Sequence, residues 1–499
     1  MGKLTIANLK KTIYYLKRNG LRNTWNAARE RLSAAESYEP KLLTEEERKA
    51  MRQEVDAWMA EAAKTGESLP YFSILVPAYR TRPEFLKELV ESVGAQVYPN
   101  WELLILDASE EESVKDALKD ICGAAELRLQ IVQEAQTAGE SRIVRYTRLA
   151  ENAGISENTN AGLPYVTGDY VGLLDHDDVL TPDALYEMAA LILSEEKAPV
   201  MLYSDEDKWD GDARYYEPNF KEDFNLDLLL SNNYICHFLV MDTMLFKELK
   251  LRKAFDGAQD YDLVLRASAR IMAQAGADNG EAGALTMLTG QIRHIPKVLY
   301  HWRCHEGSTA ENPQSKLYAY DTGRRALQDF ADRQGWNAKA QDLKHVGFYR
   351  LCFPDWEKLL EERKDIGAIG GKILSKGAIA GGRMTEETSV YYEGLKEGFS
   401  GYLHRGVLTQ DAEAVDLRCI CVAKEFWPLL EEVVGVPYRT RKLEIKGADG
   451  KEIKGTIDIF DAGALPESAD VKALSIRFCS ALQERGKRIL WDPEVLLRL

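Results

Sequence analysis

From Tyr71 onward the chain repeats one rhythm. A short apolar, β-prone run is followed by a polar break, then by apolar residues at helical spacing. YFSILVPAY is the first run, stopped by Pro77. RPEFLKELVESVGAQ follows, with Phe85, Leu86, Leu89 and Val93 on one helical face. WELLILDAS predicts a second buried strand ending at Asp107, LRLQIVQE a third and YVGLLDHDD a fourth. Strands alternating with helices predict a mainly parallel sheet covered on both faces. Such sheets bind ligands at the carboxyl ends of their strands. Pro77-Ala78-Tyr79, Asp107 and Asp175-His176-Asp177 all fall at such ends, so three polar stretches share one rim.

Upstream the pattern changes. Over residues 1–36, Leu4, Leu9, Ile13, Leu16, Trp25 and Leu32 recur at roughly helical spacing around an Asn19-Gly20 break. Lys3, Lys10, Lys11, Lys17, Arg18, Arg22, Arg29 and Arg31 face only Glu30 and Glu36. A basic amphipathic helix pair of this kind lies on an anionic membrane surface, or packs as an arm on the body of the protein. Residues 37–67 read as a charged helix and linker, with Thr44-Glu-Glu-Glu as the helix start.

The 499 residues suit two or three domains. A net charge of −16 argues against non-specific nucleic-acid binding, which needs a basic footprint. The seven cysteines are odd in number and form no CxxC pair, which argues against a disulfide framework or zinc ribbon and fits a reducing, cytoplasmic compartment. No long apolar segment opens the chain, and no run reaches the roughly 20 apolar residues of a spanning helix. The longest candidate, Leu226 to Met241, is broken by Ser231, Asn232, Asn233 and His237. The chain is therefore expected to be soluble, or peripheral at the inner face of a membrane.

The densest candidate chemistry is YVGLLDHDDVL, where Asp175, Asp177 and Asp178 end an apolar run. One reading is a divalent cation, Mg²⁺ or Mn²⁺, held by carboxylates and shared with substrate phosphates. The other is a helix N-cap, with Asp178 or Thr181 capping a helix begun by Pro182. An Asp-x-Asp alone does not decide between them.

Its context carries more. SILVPAYR, ENAGISENTNAGL, YVGLLDHDDVL, YSDEDKW, FKEDFNLDLLLSNNYICHFLVM, GAQDYDLVLRA and HIPKVLYHWRCHEGST follow one another between about Tyr71 and Arg350. In that order they resemble glycosyltransferase family 2, whose members have the GT-A nucleotide-sugar-binding fold. The resemblance implies an α/β GT-A catalytic domain over residues 68–345, behind a basic helical region at 1–67. It implies inverting, metal-dependent transfer of a sugar from a nucleotide sugar, a UDP- or TDP-sugar, to a hydroxyl of a glycan or lipid-linked acceptor in cell-surface polysaccharide synthesis. Asp175 and Asp177 then lie at the ribose and at a Mn²⁺ or Mg²⁺ ion, Asp177 as the direct ligand. The R-x-H-x-x-S spacing favours His305 over His301 as a third ligand. Arg303 would contact the pyrophosphate. Pro77, Tyr79 and Asp107 match positions near the base; Asn152, Gly154 and Asn160 match the approach to ribose and phosphate.

Asp260 matches the family's catalytic base, where a positioned carboxylate takes the acceptor proton. Its structural alternative is a helix start, with Asp260 and Asp262 in a first turn where negative charge is favourable. The chain departs from the family at Gln259, where Glu is frequent, and at Asp107-Ala108-Ser109, where Asp-Asp-Gly-Ser is frequent. Asp205, Glu206 and Asp207 either bind acceptor hydroxyls or form a solvated acidic turn. Trp302 stacks on a sugar or fills core.

Beyond Arg350, DIGAIGGKIL, DLRCICVAKEFW and SIRFCSALQERGKRILWDP resemble the second half of another family 2 domain. Residues 346–499 are thus expected to be a degenerate, non-catalytic GT-A-like partial domain. No Asp-x-Asp precedes them, and Ser475 and Arg477 stand near where the family carries acidic residues before a helix. Dimerisation of the chain, partner docking, acceptor binding and plain stabilisation remain open for it. A nucleotidyltransferase would show a Gly-rich loop with lysine after the first strand; VPAYRTRPEF has neither. No GxGxxG follows that strand either, against a Rossmann dehydrogenase. A glycosyltransferase-like scaffold is the non-enzyme alternative, opposed by the intact Asp175, Asp177 and Asp260.

Overall fold

The computed structural model describes residues 38–132, 140–305, 317–446 and 453–499, with a few positions between 13 and 29. The amphipathic reading of residues 1–36 lies largely outside the described residues.

Thr44 starts helix α1 (Glu45–Thr65) through a reciprocal cap. Its hydroxyl accepts from the Glu47 N–H at 3.1 Å, and the Glu47 carboxylate accepts from the Thr44 N–H at 2.9 Å. Val55 is buried and Trp58 stacks on Tyr186 at 5.4 Å, so α1 is packed onto the body.

The predicted rhythm continues as β1 (Phe72–Ala78), α2 (Pro83–Gly94), β2 (Trp101–Asp107), α3 (Ser113–Ala124), β3 (Arg128–Ile131), β4 (Ile143–Arg148), α4 (Ile155–Asn160), β5 (Tyr170–Leu173), β6 (Val179–Leu180) and α5 (Ala184–Ser194). There follow β7 (Met201–Trp209), β8 (Tyr215–Asn219), α6 (Leu226–Leu229), β9 (Leu239–Asp242), α7 (Thr243–Leu249), α8 (Gln259–Gln291) and β10 (Ile292–Arg303). These strands form one mixed sheet in the order β3-β4-β2-β1-β5-β9-β7-β10-β6, with β8 on β7. β3, β4, β2, β1 and β5 run parallel, as do β7 and β10. β9 enters antiparallel between β5 and β7.

Alternate residues of each strand serve opposite cores. Phe72, Ile74 and Val76 pack with α2, α3 and α5; Leu75 and Leu106 pack towards α6 and α8. The connections reverse direction between β1 and β5, and the crevice at their carboxyl ends is where doubly wound sheets bind ligands.

One strand escapes the apolar pattern. IVRYTR forms β4, inserted between β3 and β2. Its Arg145 is buried and paired with Glu102, which also accepts from the Ser73 hydroxyl at 2.5 Å and the Thr167 N–H at 2.8 Å. LRLQIVQE is consequently an edge strand, with Ile131 half exposed.

The C-terminal region builds a second sheet on its own apolar cores. Ile366–Ser375 lies parallel to Arg488–Arg498 and antiparallel to Ile420–Val422 and to the hairpin strand Ala378–Gly381. Helix Val471–Gln483 leads into Arg488–Arg498. This repeats the second half of the first sheet, where β7 is parallel to β10, antiparallel to β9 and β8, and α8 leads into β10. The sequence echo is therefore a repeat of topology. An acidic residue does precede the second helix, but Asp470 spends its carboxylate as an N-cap on the Ala473 N–H at 3.1 Å. Ser475 and Arg477 lie inside that helix rather than before it.

Removing Arg145 as Arg145→Ala leaves Glu102 as an uncompensated buried charge. It is expected to cost about 3–5 kcal/mol, against about 1 kcal/mol for Thr44→Ala, both read from urea unfolding midpoints.

Candidate active site

After β5 the chain turns through Asp175-His176-Asp177-Asp178 into β6. Asp178 does not cap α5. It is buried and accepts from the Tyr300 hydroxyl and from the Arg303 N–H at 2.7 Å. Burial, with Asp177 and Asp175 alongside, pushes its carboxyl well above the usual carboxylate range. Nor does Thr181 cap the helix by its side chain, because its hydroxyl donates to Asp183 at 2.6 Å and α5 begins at Ala184. The capping alternative is thus corrected for both residues.

Asp175 and Asp177 are left half-buried above this foundation. Burial raises the Asp175 carboxyl; His237 opposes that shift, while Asp177 and Asp260 add to it. The same cleft therefore gathers carboxylates from the β5 turn and from α8. His305 Nε2 lies 2.9 Å from Asp177 Oδ2, over the Phe85 ring at 5.2 Å. His301 faces the other side of β10, with Nδ1 2.6 Å from Asp207, whose carboxylate also accepts from the Tyr38 hydroxyl at 2.8 Å. Of the two histidines, only His305 joins the Asp-x-Asp turn. Arg303 clamps that turn from beneath. Its guanidinium donates to the Asp177 carbonyl at 2.5 Å and to Glu88, between the Phe85 and Trp209 rings.

The two first-turn carboxylates of α8 divide. Asp262 is buried under Arg252 and Arg266, each donating at 3.0 Å. Asp260 is half-buried, accepts from Asn233 Nδ2 at 2.8 Å and lies 3.7 Å from the Cys236 thiol. Gln259 turns back to accept from the Gly257 N–H at 2.8 Å.

The rim residues are mostly engaged locally. Asp107 is buried and accepts from the Tyr146 hydroxyl and the Ser109 N–H, both at 2.9 Å. Pro77 is half-buried in β1, and the Tyr79 hydroxyl donates to Glu110 at 3.1 Å. Asn152 accepts from Asn158 Nδ2 at 2.9 Å and from the Gly154 N–H at 3.3 Å. Gly154 has φ 101°, and a Cβ there would meet the Asp256 carboxylate at 2.6 Å. Asn160 is tied to the Leu251 backbone by bonds of 2.8 and 2.9 Å, fastening α4 to the chain before α8.

YSDEDKW is no solvated turn. It is β7, and Asp205, Glu206 and Asp207 are all buried. Each finds a partner, as buried charge requires. Asp205 meets His294 at 2.9 Å and the Lys221 N–H at 2.8 Å, and Asp207 meets His301. Glu206 points the other way, 3.1 Å from His237 Nδ1 and 3.8 Å from Lys221 Nζ. Burial works against its ionisation, but Lys221 and His237 outweigh it and hold the carboxyl down at about 2.

Asn233, Cys236 and His237 are the cleft residues that the sequence did not single out for chemistry. Asn233 and His237 had left a signal, as polar interruptions of the apolar run Leu226–Met241; Cys236 had left none. His237 stacks on Tyr300 at 4.7 Å and stands 5.7 Å from Trp302, which is half-buried on the same face of β10. Among the described residues, Glu206, Cys236 and His237 bring their ligand atoms within 4.8 Å of one another. Lys221 already supplies a cation to that group, donating to the Ile235 carbonyl at 2.6 Å and to the His237 carbonyl.

Residues 73–250 match the family model for glycosyl transferase family 2. Residues 73–250 thus form a glycosyltransferase family 2 domain. Its large mixed sheet is the α/β architecture of the GT-A fold. The chain is 35% identical over 306 residues to the uncharacterized protein y4gI of Sinorhizobium fredii, covering 61% of this chain and 30% of that one. It is 33% identical over 286 residues to the O-antigen biosynthesis protein RfbC of Myxococcus xanthus, covering 57% and 20%. Among solved structures, S. aureus TarS 1-349 in complex with UDP-GlcNAc is similar at 17% identity and a TM-score of 0.36, covering 53% of this chain and 72% of that one. The chain thus spans under a third of the length of these two relatives.

The Glu206 carboxyl sits below its ordinary 4.5 in the folded state. The pairing therefore adds stability that is complete above pH 4.5 and is lost as the pH falls towards 2. Glu206→Gln is expected to flatten this part of a plot of thermal midpoint against pH.

Proposed function

We propose that the cleft transfers a sugar, with inversion, from a nucleotide-sugar donor to a hydroxyl of a glycan or lipid-linked acceptor. One observation carries this reading: Asp175 and Asp177 from the turn after β5 and Asp260 from α8 converge beside the crevice at the carboxyl ends of β1 and β5. Asp260 is the base. Its carboxylate, aimed by Asn233, takes the acceptor proton as the new glycosidic bond forms. Trp302 and Glu206 line the same face and would receive acceptor or donor sugar.

Asp175, Asp177 and His305 would hold Mn²⁺ or Mg²⁺. The donor set fits, since two carboxylates with one imidazole suit hard or borderline cations. Burial, and then the Asp177 charge beside it, raises the Asp175 carboxyl, and a cation would offset both. Such an ion, when bound, offsets the negative charge of the leaving diphosphate. Arg303 supports this group indirectly, by holding the Asp177 backbone.

The donor is a UDP- or TDP-sugar, and the product belongs to a surface polysaccharide. RfbC, named for O-antigen biosynthesis, supports the second point. No helix among the described residues is long and apolar enough to cross a membrane. The basic residues 1–36 would bring the cleft to the inner membrane face, where lipid-linked acceptors lie.

The first test is thermal stabilisation by UDP-, TDP- and GDP-sugars with Mn²⁺ and with EDTA. One nucleotide class should raise the midpoint, and only with metal. Asp260→Asn should retain that shift while lowering turnover by about 10²–10⁴-fold; Asp177→Ala should lose both. Unchanged turnover in both variants would overturn the assignment. His305→Ala should raise the Mn²⁺ concentration needed for half-maximal stabilisation about tenfold or more, and His301→Gln should leave it unchanged.

A further inference from the structure

Among its described residues the C-terminal domain shows no counterpart of the acidic cleft, yet it grips one part of the first domain closely. Asp227, in α6, is 3% exposed. Arg363 holds both its oxygens at 2.9 Å, and Arg488 donates to it at 2.7 Å. Arg363 also meets Asp365 at 2.9 Å, and Arg488 pairs with Asp365 and Asp411. Burial alone would raise the Asp227 carboxyl; the two guanidiniums hold it below the usual range.

Other bonds across the same boundary fall on the same stretch of chain. Asn225 Oδ1 accepts from the Asp411 N–H at 3.0 Å while capping α6 through the Leu228 N–H at 2.9 Å. The Ser231 hydroxyl donates to the Thr409 carbonyl at 2.7 Å. Arg405 donates to the Phe220 carbonyl at 2.7 Å. Residues 220–231 are thus pinned to the C-terminal domain, and the next residues enter the cleft. Asn233 donates to Asp260 at 2.8 Å, and Lys221 fixes the Ile235 and His237 carbonyls.

Buried ion clusters are poor stabilisers, because desolvation offsets most of their attraction. What they supply is direction, since a two-pronged Arg–carboxylate pair tolerates one geometry. We propose that Asp227 is a positioning residue of the transfer site. Through Arg363 and Arg488, the C-terminal domain sets the aim of Asp260 by way of α6 and Asn233. This inference rests on the reading of Asp260 as the base.

The test uses the full chain, well below its melting transition. It compares Asp227→Asn, Ser231→Ala, Asn233→Ala and Asp260→Asn by kcat and donor KM. Asp227→Asn should lower kcat about ten- to hundredfold with donor KM unchanged. Asn233→Ala should show the same loss in kcat with donor KM unchanged, because the Asp260 carboxylate loses the amide that holds it at 2.8 Å. The Asp227→Asn/Asn233→Ala double variant should be no worse than the poorer single one. Ser231→Ala, which removes one bond and no charge, should give a smaller loss of the same kind. A lowered melting temperature with unaltered kcat in Asp227→Asn and Ser231→Ala would overturn the proposal, leaving the interface as structural. Should Asp227→Asn not fold, Ser231→Ala and Arg363→Lys decide by the same readouts. Full activity in Asp260→Asn would overturn the base assignment alone. Loss there, with none in the interface variants, would overturn the positioning role alone.

Discussion

Asp178 lies beneath the cleft, bonded to the Tyr300 hydroxyl and the Arg303 N–H, and the turn carrying Asp175 and Asp177 is built on it. Arg303 then closes the turn from below through the Asp177 carbonyl. Two elements far apart in sequence, the β5 turn and the end of β10, are locked by these few bonds. His305, two residues past Arg303, arrives at Asp177 as a consequence. The arrangement depends on one rule, that a carboxylate withdrawn from water must be bonded or paired.

That rule divides the acidic residues into two kinds. Glu102, Asp107, Asp205, Asp207 and Asp262 are buried, and each is matched by Arg, His, Tyr or backbone N–H. They set strand register and anchor helices. Asp175, Asp177 and Asp260 are only half-buried and face one another across the crevice. Like charges held close in a partly dry cleft are costly, and a protein that keeps them has a use for them. The proposed cation and base are that use. Lys221 shows the contrasting solution, a lysine ammonium set among Glu206 and the carbonyls that flank Cys236.

The second sheet repeats the β7–β9–α8–β10 module but not its chemistry. Where α8 opens on Asp260, the later helix opens on a capping Asp470. The repeat docks its charged edge against α6, so the second sheet becomes an outer support of the first. A strand-and-helix module can keep its apolar core after its site is lost, because packing and catalysis draw on different residues.

The sequence by itself determined the strand rhythm from Tyr71, the helix starts at Thr44 and Pro83, the Asp-x-Asp turn and the half-repeat after Arg350. Each depends on near neighbours: apolar periodicity, a cap three residues away, a strand and the turn after it. Tertiary structure decided what lone polar residues do. Arg145 hid a strand, because its partner Glu102 comes from another strand, 43 positions away. YSDEDKW read either as a set of acceptor-binding carboxylates or as a solvated acidic turn, and only its histidine and lysine partners from later segments show it as a buried strand. Asp227 drew no reading from the sequence, because its partners Arg363 and Arg488 stand 136 and 261 residues further on. Apolar patterning is written locally because burial of a whole face needs only periodicity. The role of a charge is set by whichever group meets it after the chain has folded.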